Sequence, residues 1–277
     1  MSLKITDVAL PFNGVAAGAT PSTKLPTGLS YEQFILIYGG VTLALINRIV
    51  FKVNGRPFFD LSTKSGKSAG ERIDRLNQFD GRAAAAGGLI IDFNRYGLRT
   101  RLAEEITKLG TGIGSDPKAI VQITCEVTID AAAVAPTLSA KVIMSDPAES
   151  GKIKHTQEYL RRSNGAGVVE IADIPFGNFD AIQRIVIENT TALGVSEVVL
   201  MRDRRTIFKR TAAENNQIQG DGVRVPQADL FVFDPTEAGF GEEILNLVGV
   251  QSLQLQITCA AAGDIPLIVE YLGDVDA

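Results

Sequence analysis

Leu25-Pro26-Thr27-Gly28 opens a stretch that runs to Phe59, and Ile174-Pro175-Phe176-Gly177 opens one like it that runs to Phe208. The two prolines stand 149 residues apart; at that spacing Ile46, Ile49 and Phe51 fall on Val195, Val198 and Leu200, Arg56 on Arg205 and Phe59 on Phe208. Each stretch reads as a loop opener, an apolar run, a polar break, a second apolar run and a tight turn. More pairs follow in chain order. Ser68-Ala69-Gly70-Glu71 matches Thr211-Ala212-Ala213-Glu214, and Leu89-Ile90-Ile91 matches Leu230-Phe231-Val232. Glu104-Glu105-Ile106 matches Glu242-Glu243-Ile244, Ile123-Thr124-Cys125 matches Ile257-Thr258-Cys259, and Pro136 matches Pro266. Such matches in one order, with a spacing that shrinks from 149 to 130, indicate two copies of one fold, the second with shorter loops.

The local patterns say what that fold is made of. Tyr31 to Tyr38 and Leu45 to Val53 read as buried strands, and Asn54-Gly55 between Val53 and Phe58 is a hairpin signal, because a type I′ turn needs positive φ at both central residues. From Ser68 to Phe79 the period becomes helical, with Ser68 as cap and Glu71 completing a capping box. Gly87 to Phe93 returns to strand. Leu102, Ile106 and Leu109 predict a short helix ended by Gly110. Val121, Ile123, Cys125, Val127 and Ile129 alternate with polar residues, the signature of a strand with one dry and one wet face. Leu138 to Met144 closes the first copy. Asp146 to Gly167 is polar and reads as the linker region, dividing the chain into 1–150 and 151–277. Ile185 to Ile187, Val198 to Met201, Leu230 to Phe233, Leu253 to Cys259 and Pro266 to Leu272 predict the strands of the second copy. Many short strands, few helices and frequent turns predict an all-β chain with an antiparallel sandwich in each half.

Length and composition agree. A chain of 277 residues suits two domains, each of roughly 100–150 residues. Hydrophobic residues make up 45%, enough for two cores, and the net charge of −5 lacks the basic excess of a nucleic-acid grip. Arg202, Arg204, Arg205, Lys209 and Arg210 form the one basic cluster of note, interrupted by Asp203, and read as a solvated turn and strand edge. Cys125 and Cys259 sit on alternating apolar faces, which predicts one small buried thiol in each core and no disulfide framework. No secretory signal opens the sequence and no run reaches the ~18 apolar residues of a membrane span, so synthesis in a cytoplasm is expected.

The search for chemistry returns little. His155 is the single histidine, placed in the polar linker as an exposed loop residue; it has no second histidine for a metal and no nucleophile elbow for a hydrolytic triad. Gly66-Lys67-Ser68 resembles the end of a phosphate loop, but Leu61 stands where its first glycine belongs. Gly110-Thr111-Gly112-Ile113-Gly114 has the wrong spacing for a dinucleotide fingerprint. Asp130, Asp173, Asp264, Asp274 and Asp276 lie at strand ends or in loops. A pair of them can serve acid–base chemistry or join subunits through a hard cation, and solvated loop acids explain them more simply. No catalytic or cofactor-binding residue is assigned, and no metal ligand is identified.

Several words are similar to one family. They are Val15-Ala16-Ala17-Gly18 followed by Lys24-Leu25-Pro26-Thr27-Gly28, then Val53-Asn54-Gly55-Arg56, then Ile123-Thr124-Cys125-Glu126-Val127-Thr128-Ile129-Asp130 leading to Ala135-Pro136-Thr137-Leu138-Ser139-Ala140. Glu170-Ile171-Ala172-Asp173-Ile174-Pro175 and Ile268-Val269-Glu270-Tyr271-Leu272-Gly273 complete the set. The chain resembles the major capsid proteins of corticovirus-type bacteriophages, icosahedral viruses with an internal membrane. The match is poor through most of 178–250. The resemblance implies two tandem eight-stranded jelly rolls, a homotrimer with a hexagonal outline, and a virion shell above a membrane. It also implies vertex and membrane proteins as partners and calcium ions at subunit interfaces. The rival is a two-jelly-roll hydrolase or carbohydrate-binding protein that uses loop carboxylates. The absence of Trp and an aromatic content of 6% count against the sugar-binding form, which relies on exposed aromatic platforms.

Overall fold

The computed structural model describes residues 5–8, 10–95, 108–112, 120–148, 151–237 and 243–276. The first half supplies β1 (Ile5–Val8), β2 (Ser22–Leu25), β3 (Ser30–Gly39), β4 (Ile46–Val53), β5 (Arg56–Ser62), β6 (Gly88–Asp92), β7 (Leu109–Gly110), β8 (Ile123–Ile129) and β9 (Thr137–Ser145). The second supplies β10 (Ile153–Ser163), β11 (Gly167–Ile171), β12 (Ala181–Glu188), β13 (Glu197–Arg202), β14 (Arg205–Thr211), β15 (Leu230–Phe233), β16 (Leu245–Asn246), β17 (Leu253–Cys259) and β18 (Gly263–Gly273).

The strand orders repeat. The first half stacks β1-β9-β3-β6 over β2-β8-β4-β5, and the second stacks β10-β18-β12-β15 over β11-β17-β13-β14. Two-residue β7 and β16 hang on β3 and β12 respectively. Each half is thus a jelly roll of eight strands plus one short addition, as expected. The rolls are also joined through backbone. β10 runs parallel to β5 with Thr156 opposite Phe59, so one nine-stranded sheet crosses both rolls.

Bulges recur at matching places and fix which residues correspond. The β4–β5 ladder slips between Phe51 and Lys52, and the β13–β14 ladder slips between Leu200 and Met201. This supports the spacing of 149 read from sequence. The β3–β9 ladder slips between Tyr31 and Gln33, and the β12–β18 ladder between Ile182 and Arg184. Each of the two hairpins turns on residues with positive φ: Asn54 and Gly55 at 49° and 85°, Asp203 and Arg204 at 50° and 65°. Ser68 and Thr211 both cap helices with complete capping boxes, closed by Glu71 and Glu214. The two helices, Ala69–Phe79 and Ala212–Gln219, tie down an edge strand in the same way. Asn77 donates to the Ile90 carbonyl at 2.9 Å, and Gln219 to the Val232 carbonyl at 2.8 Å.

The ladders correct two of the sequence matches. Ile49 faces Val127 and Phe51 faces Cys125, whereas Val198 faces Ile257 and Leu200 faces Leu255. Cys125 therefore corresponds to Leu255, and Cys259 to Ile129. A shift of four residues keeps every side chain on its own face, so alternation could not expose the error. Leu89 corresponds to Phe231, not Leu230, because Phe34 faces Ile91 where Ile185 faces Phe233. Leu230–Phe233 is buried on both faces, which erases the alternation that sets register. The two thiols do lie in separate cores and are unbridged, Cys125 with Phe51 and Val127, Cys259 with Leu200 and Ile257.

Three other expectations change. The region read as polar linker contains the eleven-residue β10, whose first four residues are buried. Val121 lies ahead of β8 and is 74% exposed. The helix expected over 102–109 falls largely outside the described residues, and its end, Leu109–Gly110, is β7.

Candidate functional site

Alternation on β12 and β18 sends Ile185, Ile187, Leu267 and Val269 into the second core. The opposite faces of β12, β15 and β18 do not reach solvent. Val186, Leu230, Val232 and Ile268 pack into the core of the first roll, beside Ile73, Leu76 and Phe79 of its helix. The charged neighbours of those residues are carried into the same contact and meet a matching set from the first roll.

Arg72, in the middle of the Ala69–Phe79 helix, is buried. Its Nε donates to the Glu188 carboxylate at 2.8 and 3.1 Å, and its Nη1 donates to Glu158 at 2.6 Å and to the Ser62 carbonyl at 2.5 Å. Arg184 grips Glu270 through two hydrogen bonds of 2.9 and 2.7 Å within β12–β18 and reaches across to Asp80 at 3.0 and 3.1 Å. Asp234 accepts from Arg95 of the first roll at 2.5 Å and from Arg224 of the second at 3.1 Å, and Thr236 donates to its other oxygen at 2.7 Å. Toward the rim, Lys67 and Arg75 both reach Asp229, Arg75 at 2.9 Å.

The electrostatics are one-sided. Burial works against ionisation of Asp234, but the Arg95 and Arg224 guanidinium groups outweigh it and hold the carboxyl below the usual range. Burial opposes the Glu270 charge too; Arg184, then Lys154, hold it well below the carboxylate range. Arg184 is in turn held protonated against its burial by Asp80 and Glu270. Carboxylates locked as anions are poor proton donors near neutral pH. The arrangement is suited to holding two rolls in one orientation: bidentate, buried pairs tolerate little change of angle. A cavity of about 30 Å³ lies in the layer, lined by Asp80, Lys154, Thr156, Arg184 and Glu270, with room for about one water.

The candidates singled out from sequence are scattered. His155 is not a loop residue: it sits on β10, buried, its Nε2 2.7 Å from the Asp274 carbonyl and its ring against Phe179. Burial lowers its basicity more than that carbonyl restores it. Lys67 belongs to the rim of the charge layer, and Ser68 is a helix cap. Thr111 clips the loop at Gly28, accepting from its N–H at 2.9 Å. Asp130 caps a turn through Ala132 N–H and accepts from Asn47; Asp173 pairs with Arg161; Asp274 shares Lys152 with Asp180. Asp264 and Asp276 offer backbone carbonyls to Asn189 and Arg56. Among the described residues, no three His, Cys, Asp or Glu side chains come close enough to hold a metal ion. A calcium site within one chain is therefore not supported by the residues described. Of the basic cluster, Lys209 pairs with Glu197 and Arg210 with Glu237, while Arg204 and Arg205 stand exposed at the hairpin tip. The charge layer itself was missed, because charges within strands read as solvent-facing.

Comparison with known proteins follows the same division into halves. The model of the viral coat protein P2 N-terminal domain matches residues 7–144, and that of the viral coat protein P2 C-terminal domain matches residues 153–275. The major capsid protein P2 of Pseudoalteromonas phage PM2 is 28% identical over 266 residues, covering 94% of this chain and 93% of that protein. The crystal structure of the major capsid protein P2 from bacteriophage PM2 superposes with a TM-score of 0.86 at 24% identity, covering 98% of this chain and 97% of the other. A chain of the Sulfolobus Turreted Icosahedral Virus structure superposes with a TM-score of 0.69 at 11% identity, covering 98% and 91%. At these identities the structural matches bear on the fold alone.

Proposed function

The chain belongs to the viral coat protein P2 family, and from that premise we propose that it is the major capsid protein of an icosahedral bacteriophage. Its role is structural and its place is the shell of the virion, where copies of it assemble into a lattice. The observation that carries this is the match of both coat-protein domain models, one on each roll. The hydrolase and carbohydrate-binding rivals find no support: the buried carboxylates converge on guanidinium groups rather than on an open cleft.

We take residues 1–150 and 151–277 as the two domains. The working unit is a homotrimer whose six rolls surround one axis, so a single polypeptide tiles a hexagonal net. Support comes from the duplication itself and from the rigid contact between rolls, since repeated rolls presented in a ring give near-six-fold contacts from three chains. The internal membrane beneath the shell, and vertex and membrane proteins as neighbours, are carried over from the family resemblance. Among the described residues no helix is long and apolar enough to cross a membrane.

Light scattering of the purified protein is expected to give three times 29.6 kDa, and electron microscopy of concentrated samples to show lattice fragments or shells. A stable monomer at micromolar concentration that cleaves glycans would overturn the reading.

A further inference from the structure

We propose that neighbouring chains join by adding β1 of one copy, in parallel, to the free edge of β14 of the next, with Thr6 level with Phe208. This rests on the oligomer reading above and says how its contact is built.

The argument starts from the junction already present inside the chain. β5 is the last strand of its four-stranded order in the first roll, and β10 is the first of its order in the second. Those two edges meet at Thr156 and Phe59. The counterpart of β5 in the second roll is β14, and the counterpart of β10 in the first is β1. Both are edge strands, and neither has a partner on its outer side among the described residues. A chain therefore presents at its two ends the two halves of a contact that it makes once internally. Heterologous contacts of this kind close rings when the rotation permits.

The bulges supply the register. Tyr31 faces Met144 and Ile182 faces Tyr271, each just before the slip in its ladder. Met144 faces Ile5, and Tyr271 faces His155. Ile5 thus corresponds to His155, and Thr6 to Thr156. Phe51 faces Phe59 and Leu200 faces Phe208, again just before a slip, so Phe59 corresponds to Phe208. The internal pair Thr156–Phe59 becomes Thr6–Phe208 between copies.

Burial points the same way. Beside the internal junction, Phe58 and His155 are 3% and 1% exposed. Their counterparts on the free edges, Ile207 and Ile5, are 41% and 42% exposed. Two isoleucines left half in water at the edges of sheets are what an unpaired junction looks like. Exposed edges are otherwise blunted or covered, and strand addition covers them with backbone hydrogen bonds.

The test is a cysteine pair, Ile5→Cys with Ile207→Cys, in the full chain, oxidised with copper–phenanthroline. Neighbouring strands lie ~4.8 Å apart, within the Cα separation that a disulfide spans. Most chains should run as covalent trimers without reductant, and the two single variants should not. Hydrogen exchange of the unmodified assembly gives a second reading that does not depend on the variants folding: β14 amides should be as protected as those of β5. Trimers with no cross-link and freely exchanging β14 amides would overturn the edge pairing while leaving the trimer intact. Unmodified protein that stays monomeric would overturn both.

Discussion

Replacing Arg184 with alanine tests whether the charge layer holds the rolls together. The substitution removes a buried guanidinium that makes two hydrogen bonds to Glu270 and two to Asp80. Glu270 is left buried with Lys154 Nζ at 3.7 Å, and Asp80 with Arg95 Nη1 at 3.9 Å. Breaking a buried pair from one side typically costs about 3–5 kcal/mol. The two remaining cations place the expected loss near the lower end, about 3 kcal/mol. Arg184→Met combined with Glu270→Gln removes both charges of the pair, keeps most of the volume and leaves Lys154 an oxygen to donate to, so it should cost at least about 1 kcal/mol less than Arg184→Ala alone. Urea unfolding at pH 7, followed by far-ultraviolet circular dichroism, measures both. An acid titration of the unsubstituted protein adds a third reading. Glu270 and Asp234 are depressed in the folded chain. Their stabilisation is therefore complete above the ordinary carboxylate values of about 4, and it is lost as pH falls below them toward the folded values. A loss under about 1 kcal/mol for Arg184→Ala, or a double substitution worse than the single, would refute the reasoning.

Other outcomes follow from the fold. Burial pushes both thiols up, so Cys125 and Cys259 should resist alkylation until the chain unfolds, and mass spectrometry without reductant should find no Cys125–Cys259 bridge. Arg204 holds a left-handed φ of 65° at the tip of the second hairpin, where its counterpart is Gly55. Arg204→Gly should stabilise the subunit by about 0.5–1 kcal/mol in thermal melts, the left-handed penalty less the added freedom of glycine when unfolded. Chelator should leave the melting temperature of the isolated subunit unchanged, because no group of three ligands exists among the described residues, and should loosen assembled shells before it unfolds subunits, as calcium at subunit interfaces requires.

Much of the fold was legible from residues that face one medium on each side. β8 and β17 alternate buried and half-exposed residues without a break, so their faces are legible, although Val121 lies ahead of β8 and the match between the two strands is four residues out. The Ser68 and Thr211 caps were legible because a capping box is a local pattern with a local cause. Legibility failed where one roll covers the other. β10 carries Lys154, His155, Thr156, Gln157 and Glu158, a polar string that reads as linker, yet it lies between β18 and β5. β12 is buried along all eight residues, so Arg184 and Glu188 look misplaced until their partners Asp80 and Arg72 are seen. Those partners lie more than a hundred residues away, and nothing local announces them.

The nine-stranded sheet has a mechanical consequence. Within each roll, load passes between neighbouring strands through ladders of several paired residues, eleven in the case of β10 and β18. Between the rolls, among the described residues, the backbone carries it at the Thr156–Phe59 bridge and at one hydrogen bond from the Val225 N–H to the Phe79 carbonyl. The backbone ladder thus thins where the rolls meet, and packed side chains carry the rest of the contact. Beside that seam the paired guanidinium and carboxylate groups act as struts that resist folding along the line.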